Sequence, residues 1–239
     1  MSNVQKREAL ESSKLPFFHP EPIEYDWGQE IKDIKLRYKL AYPLGWLLMH
    51  GQFGKIRAYG QENIPLEGGF LLAANHQSNF DPISIYFCMK GKRCMYFMAK
   101  EEFFHTFYTR AIFNFYHAFP VQRSTADKDS IDFAERVIKT GHVLTVFPQG
   151  TRDLTHGKPK NFMPGTAMIA REAKADVLPV SIHYEQGKKF RPDLVVRYGQ
   201  MIPYEELGFT EGSRKSRELR KASQLIEDRV AELWEMDEK

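Results

Sequence analysis

This sequence has few cysteines, no long apolar run and only a small excess of positive over negative charge. Among 239 residues there are two cysteines, Cys88 and Cys94, which form neither a disulfide framework nor a zinc-binding pattern and fit a reducing cytosol. No stretch reaches the roughly 18 apolar residues that span a bilayer, and the N-terminal residues lack the apolar core of a secretion signal. We therefore expect a protein that neither leaves the cell nor crosses a membrane.

The balance of charged residues indicates which classes of binding partner to expect. The formal net charge is +3, and no dense tract of lysine and arginine indicates binding to nucleic acid. A mild positive charge suits anionic small molecules or an anionic membrane surface. The histidines are scattered without the paired spacing of metal ligands, so the sequence predicts no metal site.

Strand-like and helical segments alternate along most of the chain, which is long enough for one sizeable domain. The predicted strands are 55–60, 69–74, 93–99, 142–148, 176–184 and 193–199. Helical stretches lie near 82–90, 101–117, 127–140 and 162–174. This alternation favours an α/β fold with a mixed, substantially parallel sheet flanked by helices, in which ligands bind beyond the carboxyl ends of the strands.

Helical segments are also predicted at both ends of the chain. Near the N-terminus, basic residues precede the apolar run Leu40–Met49, which Pro43 interrupts. This pattern is typical of an interfacial membrane anchor, and a helical hairpin packed on the domain is the alternative. The C-terminal apolar residues fall at helical spacing, and we expect them to pack on the core. The predicted division is a polar extension at 1–27, a helical membrane-docking segment at 28–55 and an α/β domain at 56–239.

The stretch NHQSNFD contains His76 and Asp81, five positions apart. On one helix these side chains would not face each other, so they could meet only if the chain turns between them. A strand ending near Ala74 and a helix beginning near Pro82 would supply that turn. The alternative is that Asp81 merely caps a helix whose first residue is Pro82.

A second stretch, VFPQGTRD at 146–153, also follows a predicted strand. Gly150 allows unusual backbone angles, and the guanidinium of Arg152 matches the geometry of phosphate oxygens. Lys100 and Arg123 follow other strand-like segments. These three cations at strand exits could form a phosphate clamp, or each could be a solvated surface charge.

Taken together, these stretches resemble the glycerolipid acyltransferase family, typified by 1-acylglycerol-3-phosphate acyltransferase. The ordered motifs of that family are matched by NHQSNFD, by FPVQR ending at Arg123, by FPQGTR at 147–152 and by VLPVSI around Pro179. Their order and spacing agree from about residue 56 to 200. Gln149 stands where the family has glutamate, and FMPG at 162–165 lacks the lysine that the family often places before this glycine.

The resemblance implies an O-acyltransferase that moves a fatty acyl group from acyl-CoA or acyl-acyl-carrier protein to the free hydroxyl of 1-acylglycerol 3-phosphate, giving phosphatidate for phospholipid synthesis. It implies no cofactor beyond this co-substrate, and a peripheral or monotopic position on the cytoplasmic face of the cell membrane. The alternatives are transfer to another lysophospholipid or to glycerol 3-phosphate, and transacylation between phospholipids. From other classes, the protein could be an acyl hydrolase or an inactive lipid-binding protein.

Each matched residue then has an expected role. His76 would be the general base for the acceptor hydroxyl, and Asp81 would fix its tautomer. The predicted phosphate-binding residues are Lys100, Arg123, Gly150, Thr151 and Arg152. Glutamine retains one acceptor oxygen of a glutamate but loses its charge, so we expect Gln149 to brace the loop.

Overall fold

The computed structural model describes residues 25–32, 35–121, 128–189, 191–212 and 215–236. The strands are β1 (Ile56–Tyr59), β2 (Phe70–Ala74), β3 (Met95–Lys100), β4 (Ala118–Val121), β5 (Val143–Val146), β6 (Val177–Lys189) and β7 (Arg191–Tyr198). The α-helices are α1 (Lys35–Gln52), α2 (Asp81–Cys88), α3 (Phe107–Phe115), α4 (Lys128–Lys139), α5 (Gly165–Ala173) and α6 (Ser216–Glu235). Short 3-10 helices cover Gln61–Asn63, Glu101–Phe104 and Tyr204–Leu207.

The strands form one seven-stranded sheet in the order β1-β7-β6-β2-β5-β3-β4. All neighbours from β6 through β2, β5 and β3 to β4 are parallel. Strand β7 runs antiparallel to β6, and β1 pairs in parallel with β7. The mixed, substantially parallel sheet that the alternation predicted is therefore confirmed.

The central strands are buried on both faces. Every residue of β2 and of β5 is buried, as expected for parallel strands covered by helices. Helix α2 covers one face, where the Ile85 carbonyl accepts a 2.7 Å hydrogen bond from the hydroxyl of Tyr198 in β7. Helix α6 covers the opposite face, where Trp234 stacks on His183 of β6 with 4.5 Å between ring centroids.

Helix α1 packs along α2 and is continuous through Pro43, so the predicted interruption at that proline was wrong. A proline removes one backbone donor and can bend a helix without ending it, provided that residues before and after the proline are packed. Tyr42 stacks on Phe87 of α2 at 5.2 Å, and Met49 is fully buried. No helix in the described part of the chain is long and apolar enough to cross a membrane.

The other side of α1 is apolar and exposed. Leu44, Trp46 and Leu47 keep 61%, 49% and 62% of their surface accessible. Helix α6 behaves differently, because its apolar side is buried at Ile226 and Val230, as we predicted for the C-terminal helix. The two terminal helices therefore differ in what their apolar sides contact.

Residues 25–32 lie against the core, although the sequence around them is polar. Tyr25 and Trp27 pack on Phe133 of α4, with ring centroids 6.0 and 5.9 Å away. Burial raises the pKa of the Tyr25 hydroxyl above its usual value. The rest of the predicted polar extension, residues 1–24, lies outside the described residues.

Both cysteines lie in the core as free thiols. Cys88 is the last residue of α2, and Cys94 directly precedes β3. Burial raises the pKa of the Cys88 thiol to about 12, because an apolar environment disfavours the thiolate.

Candidate active site

The site begins where β2 leaves the sheet. Directly after Ala74, the side chain of Asn75 donates to the carbonyl of Ile182 at 2.8 Å and accepts from its N–H at 2.7 Å. An amide side chain thus continues the pairing of β2 with β6 for one further position. This anchor fixes the backbone immediately before His76.

His76 and Asp81 meet across the turn that connects β2 to α2. Nδ1 of His76 lies 2.7 Å from Oδ2 of Asp81. The same oxygen accepts the backbone N–H groups of Gln77 and Ser78 at 2.6 and 2.8 Å, and Oδ1 accepts the hydroxyl of Tyr184. A carboxylate held by four donors gives the histidine proton to Nδ1 and leaves Nε2 as a free acceptor.

Asp81 is not the cap of the helix that follows it, so the alternative interpretation of its position does not hold. The capping residue is Phe80, and Asp81 is already the first residue of α2. Its carboxylate binds N–H groups of the turn before the helix and is completely buried. Burial of a charge is tolerated only with such a full set of partners.

The loop after β5 holds His76 from the other side. The ring of His76 stacks on Phe147 at 4.1 Å. Its backbone N–H donates to Oε1 of Gln149 at 2.7 Å, and its carbonyl accepts from the N–H of Asp153 at 2.8 Å. A glutamate at position 149 could accept the same N–H, so this contact requires an acceptor oxygen and no charge.

A cavity of about 650 Å³ opens beside His76, whose side chain keeps 18% of its surface exposed. Most of the cavity wall is apolar and comes from β3, α3, α5 and the loops next to them. Its larger apolar side chains are Phe97, Met98, Phe103, Phe113, Met163 and Ile169. A wall of this kind suits a long acyl chain better than a polar ligand.

Four of the predicted phosphate-binding residues line this same cavity, namely Lys100, Gly150, Thr151 and Arg152. The fifth, Arg123, lies outside the described residues. The ammonium of Lys100 forms an ion pair with Glu102. Arg152 is exposed, and within the described part of the chain its guanidinium has no hydrogen bond or ion pair.

Gly150 shapes the loop that carries these groups. Its φ is +68°, which favours glycine, and its N–H closes a turn onto the carbonyl of Phe147 at 2.9 Å. A β-carbon at this position would lie 1.9 Å from Cε of Met163 in the cavity wall. The backbone conformation therefore favours glycine, and a larger residue would also displace the terminal methyl of the flexible Met163 side chain.

Sequence reasoning missed two groups that hold the site. These are Tyr184, which bonds Asp81, and Asn75, which bonds β6. Tyr184 is the last residue of the predicted strand 176–184. Its position at the edge of the sheet where ligands bind was the feature of the sequence that could have identified it as a site residue. Among the residues that the structure describes, no three histidine, cysteine or acidic side chains group as metal ligands.

Comparison with known proteins finds a matching family model and similar proteins that share one name. The model of the Acyltransferase family matches residues 55–183. A 1-acyl-sn-glycerol-3-phosphate acyltransferase of Bacillus subtilis is 30% identical over 128 residues, which are 54% of this chain and 62% of that protein. The Streptococcus pneumoniae protein of the same name is 30% identical over 157 residues, 63% of this chain and 56% of its own. The chain thus spans about three fifths of the length of these relatives.

A solved structure shares the fold. It is the 1-acyl-sn-glycerophosphate (LPA) acyltransferase PlsC of Thermotoga maritima, with a TM-score of 0.63 and 24% sequence identity. The match covers 89% of this chain and 87% of that one. Since it covers most of both chains, the arrangement of the mixed sheet and its helices is common to both proteins.

Proposed function

Since this chain belongs to the acyltransferase family, we propose that it transfers a fatty acyl group from a thioester donor to the free hydroxyl of 1-acylglycerol 3-phosphate, giving phosphatidate. The donor is acyl-CoA or acyl-acyl-carrier protein. One observation carries the proposal: His76, bonded to a buried carboxylate, faces a cavity with an apolar wall and a basic rim. The names of the similar proteins support the same acceptor.

In the proposed reaction, Nε2 of His76 takes the proton of the acceptor hydroxyl while its oxygen attacks the thioester carbonyl. Asp81 holds the ring and stabilises the imidazolium that forms. When the tetrahedral intermediate collapses, the carbon–sulfur bond breaks and the imidazolium of His76 gives its proton to the leaving thiolate, which departs as the free thiol. No acyl-enzyme is needed, and the sequence contains no GxSxG nucleophile motif.

The basic rim would orient the acceptor. The exposed guanidinium of Arg152 is available to a phosphate, and Thr151 adds a hydroxyl donor to the same wall. Lys100 would exchange its contact with Glu102 for the phosphate, and Arg123 is a further candidate from the sequence. Fixing the phosphate places the hydroxyl beside His76, and such positioning lowers the barrier by several kcal/mol.

The proposal includes a membrane surface, because a lysolipid acceptor resides in one. Residues 28–55 would form the docking segment, and the α/β domain would begin at residue 56. The exposed apolar side of α1, at Leu44, Trp46 and Leu47, supports this assignment. Exposed apolar side chains of this kind enter the headgroup region of a membrane without spanning the bilayer. We assign the protein to the cytoplasmic face as a peripheral or monotopic enzyme.

A single assay tests the function. Labelled acyl-CoA is incubated with lysophosphatidate, other lysophospholipids, glycerol 3-phosphate or no acceptor, and both free thiol and acylated product are measured. We expect thiol release that depends on lysophosphatidate and yields phosphatidate. Release without any acceptor would identify a hydrolase instead. Lipid binding without thiol release would identify an inactive lipid-binding protein.

A further inference from the structure

Tyr184 contacts the one oxygen of Asp81 that the turn leaves open. Oδ2 of Asp81 accepts from His76 and from two backbone N–H groups. Oδ1 accepts from the hydroxyl of Tyr184, which reaches the carboxylate from β6, 103 positions along the chain. With donors on both oxygens, the carboxylate cannot rotate about its Cβ–Cγ bond without losing a hydrogen bond. The plane of the carboxylate in turn sets the angle of the His76 ring.

The ring of Tyr184 is itself held by the residue that follows α1. Phe53 stacks on Tyr184 with centroids 5.5 Å apart and planes 18° apart. Phe53 is buried, and its N–H donates to the carbonyl of Met49 in the last turn of α1. Its ring also meets Phe80 edge to face at 6.0 Å, within the turn that carries Asp81. Phe53 thus contacts both Tyr184, which bonds Asp81, and Phe80, which directly precedes Asp81.

We propose that Tyr184 is a positioning residue for the His76–Asp81 pair, and that Phe53 ties its orientation to helix α1. This inference rests on the proposed transfer reaction, in which His76 acts as the base. Tyr184 touches neither donor nor acceptor in this scheme. It acts through Asp81, by keeping the carboxylate in the plane that presents Nε2 of His76 to the cavity.

The hydroxyl of Tyr184 stays protonated, as a hydrogen-bond donor to Asp81 must. Burial, and then the charge of Asp81, raises the pKa of Tyr184 well above its ordinary value, so the hydroxyl keeps its proton and remains a donor. Loss of this donor would leave Oδ1 buried with its hydrogen bond unmade, which is costly for a charged acceptor. The carboxylate would then turn toward any other donor, and His76 would turn with it.

The chain offers a matched pair of tyrosines for the test. Tyr184→Phe removes the hydroxyl from Asp81 and keeps the ring that stacks on Phe53. Tyr198→Phe removes another buried hydroxyl, which donates to the carbonyl of Ile85 on α2 and does not touch the pair. Both changes delete a buried hydroxyl that donates a hydrogen bond, so a loss of stability is expected in both. The Tyr184 hydroxyl also interacts with the side chains of Ser78 and Ser84, so the stability of each variant is measured beside its kcat.

We expect Tyr184→Phe to lower kcat about tenfold to a hundredfold, by analogy with the loss of outer-shell partners of metal-ligating histidines. KM for both substrates should change less than about twofold, since no substrate contact is lost. Tyr198→Phe should keep the parent kcat. A Tyr184→Phe enzyme with the same kcat as Tyr198→Phe would overturn the proposal.

A second variant tests the link to α1. Phe53→Leu removes the ring stack, keeps an apolar side chain and leaves the Tyr184 hydroxyl in place. We expect a fall in kcat in the same direction but smaller than in Tyr184→Phe, again with KM unchanged. An unchanged kcat would overturn the assignment of Phe53.

A spectroscopic measurement separates this inference from the proposed function. The Nδ1 proton of a histidine bonded to a carboxylate gives a low-field proton NMR signal, assigned to His76 by its loss in His76→Ala. We expect this signal to shift or broaden in Tyr184→Phe and to stay in Tyr198→Phe. This comparison applies even if the parent transfers no acyl group, a result that would overturn the reaction alone. An unshifted signal in Tyr184→Phe would overturn the positioning role.

Discussion

The His76–Asp81 pair and the basic rim of the same cavity differ in how their polar groups are hydrogen-bonded. Asp81 is buried and accepts four hydrogen bonds from the protein. Arg152, in the cavity wall, is exposed and has no hydrogen bond or ion pair within the described part of the chain. The groups that we propose perform the chemistry are thus oriented by the fold itself. The guanidinium of Arg152, which we propose binds the acceptor phosphate, keeps its donors open, whereas Lys100 on the same rim is paired with Glu102.

The exposed side of α1 extends this comparison to apolar groups. Trp46 and Leu47 keep 49% and 62% of their surface exposed, whereas Met49 on the same helix is fully buried. By the same reasoning, the covered residues stabilise the fold and the uncovered ones are available to a lipid surface. Substitutions in the two classes should therefore produce different kinds of loss.

The largest effect should come from His76→Ala. Removal of the proposed base should lower acceptor-dependent thiol release by about a hundredfold to ten-thousandfold. The melting temperature should fall only modestly, because Oδ2 of Asp81 keeps its hydrogen bonds from the N–H groups of Gln77 and Ser78. His183→Ala, on the opposite face of the sheet, is the control and should retain turnover. Near-parent activity of His76→Ala would show that the reaction uses another base.

Asp81→Asn should reduce kcat less than His76→Ala, because the base remains and only its orientation is disturbed. It should also lower stability by about 1 to 3 kcal/mol, since the new amide group would face backbone donors that need an acceptor. Thermal unfolding and steady-state kinetics measure the two effects. The control is Asp193→Asn, which alters a carboxylate that binds the N–H of Lys55. A loss of stability with full activity would assign Asp81 a purely structural role.

Arg152→Ala should weaken binding of the phosphorylated acceptor without unfolding the protein. Loss of a charged hydrogen bond costs about 1.5 to 3 kcal/mol, so KM for lysophosphatidate should rise about tenfold to a hundredfold. KM for the acyl donor should change much less. Arg152→Lys should also be impaired, because an ammonium does not reproduce the planar fork.

The control for this prediction is Arg229→Ala, on α6 away from the cavity, where the guanidinium contacts Glu206 at 2.9 Å. An uncharged monoacylglycerol serves as the second acceptor. If Arg152→Ala impaired both acceptors equally, the arginine would have no specific role toward phosphate.

The smallest effect on a water-soluble, short-chain acceptor should come from Trp46→Ser combined with Leu47→Ser. Sedimentation with anionic liposomes should show weaker binding, and activity on membrane-embedded acceptor should fall. The comparison variant is Phe107→Ser with Tyr108→Ser, which removes exposed apolar side chains of α3. Loss of liposome binding only in this second variant would move the docking surface from α1 to α3.

Much of the site could be predicted because its parts are local in the sequence. His76 and Asp81 are five positions apart, and the strand and helix around them set the turn. The loop at 146–153, which we propose faces the acceptor phosphate, could likewise be located from the strand that precedes it. The parallel sheet followed from the alternation of apolar strands with helices.

The supporting contacts could not be predicted, because they join distant segments. Tyr184 and Asp81 are 103 positions apart, and Asn75 and Ile182 are 107 apart. No local pattern shows which residue of β6 will lie opposite a given residue of β2, since the register depends on the packing of the whole sheet. The interruption predicted at Pro43 was wrong for a similar reason, because tertiary contacts of α1 outweigh a local breaker.

Because both cysteines are buried, we expect the folded protein to react slowly with the reagents used to detect thiols. Such reagents attack the thiolate, and Cys88 with a pKa of about 12 holds almost none of it near neutral pH. A chromogenic disulfide could therefore report released coenzyme A continuously, with little background from the folded enzyme. A cysteine introduced by Leu47→Cys would be the readily labelled thiol of the chain, so a single fluorophore there could report how deeply α1 enters a bilayer.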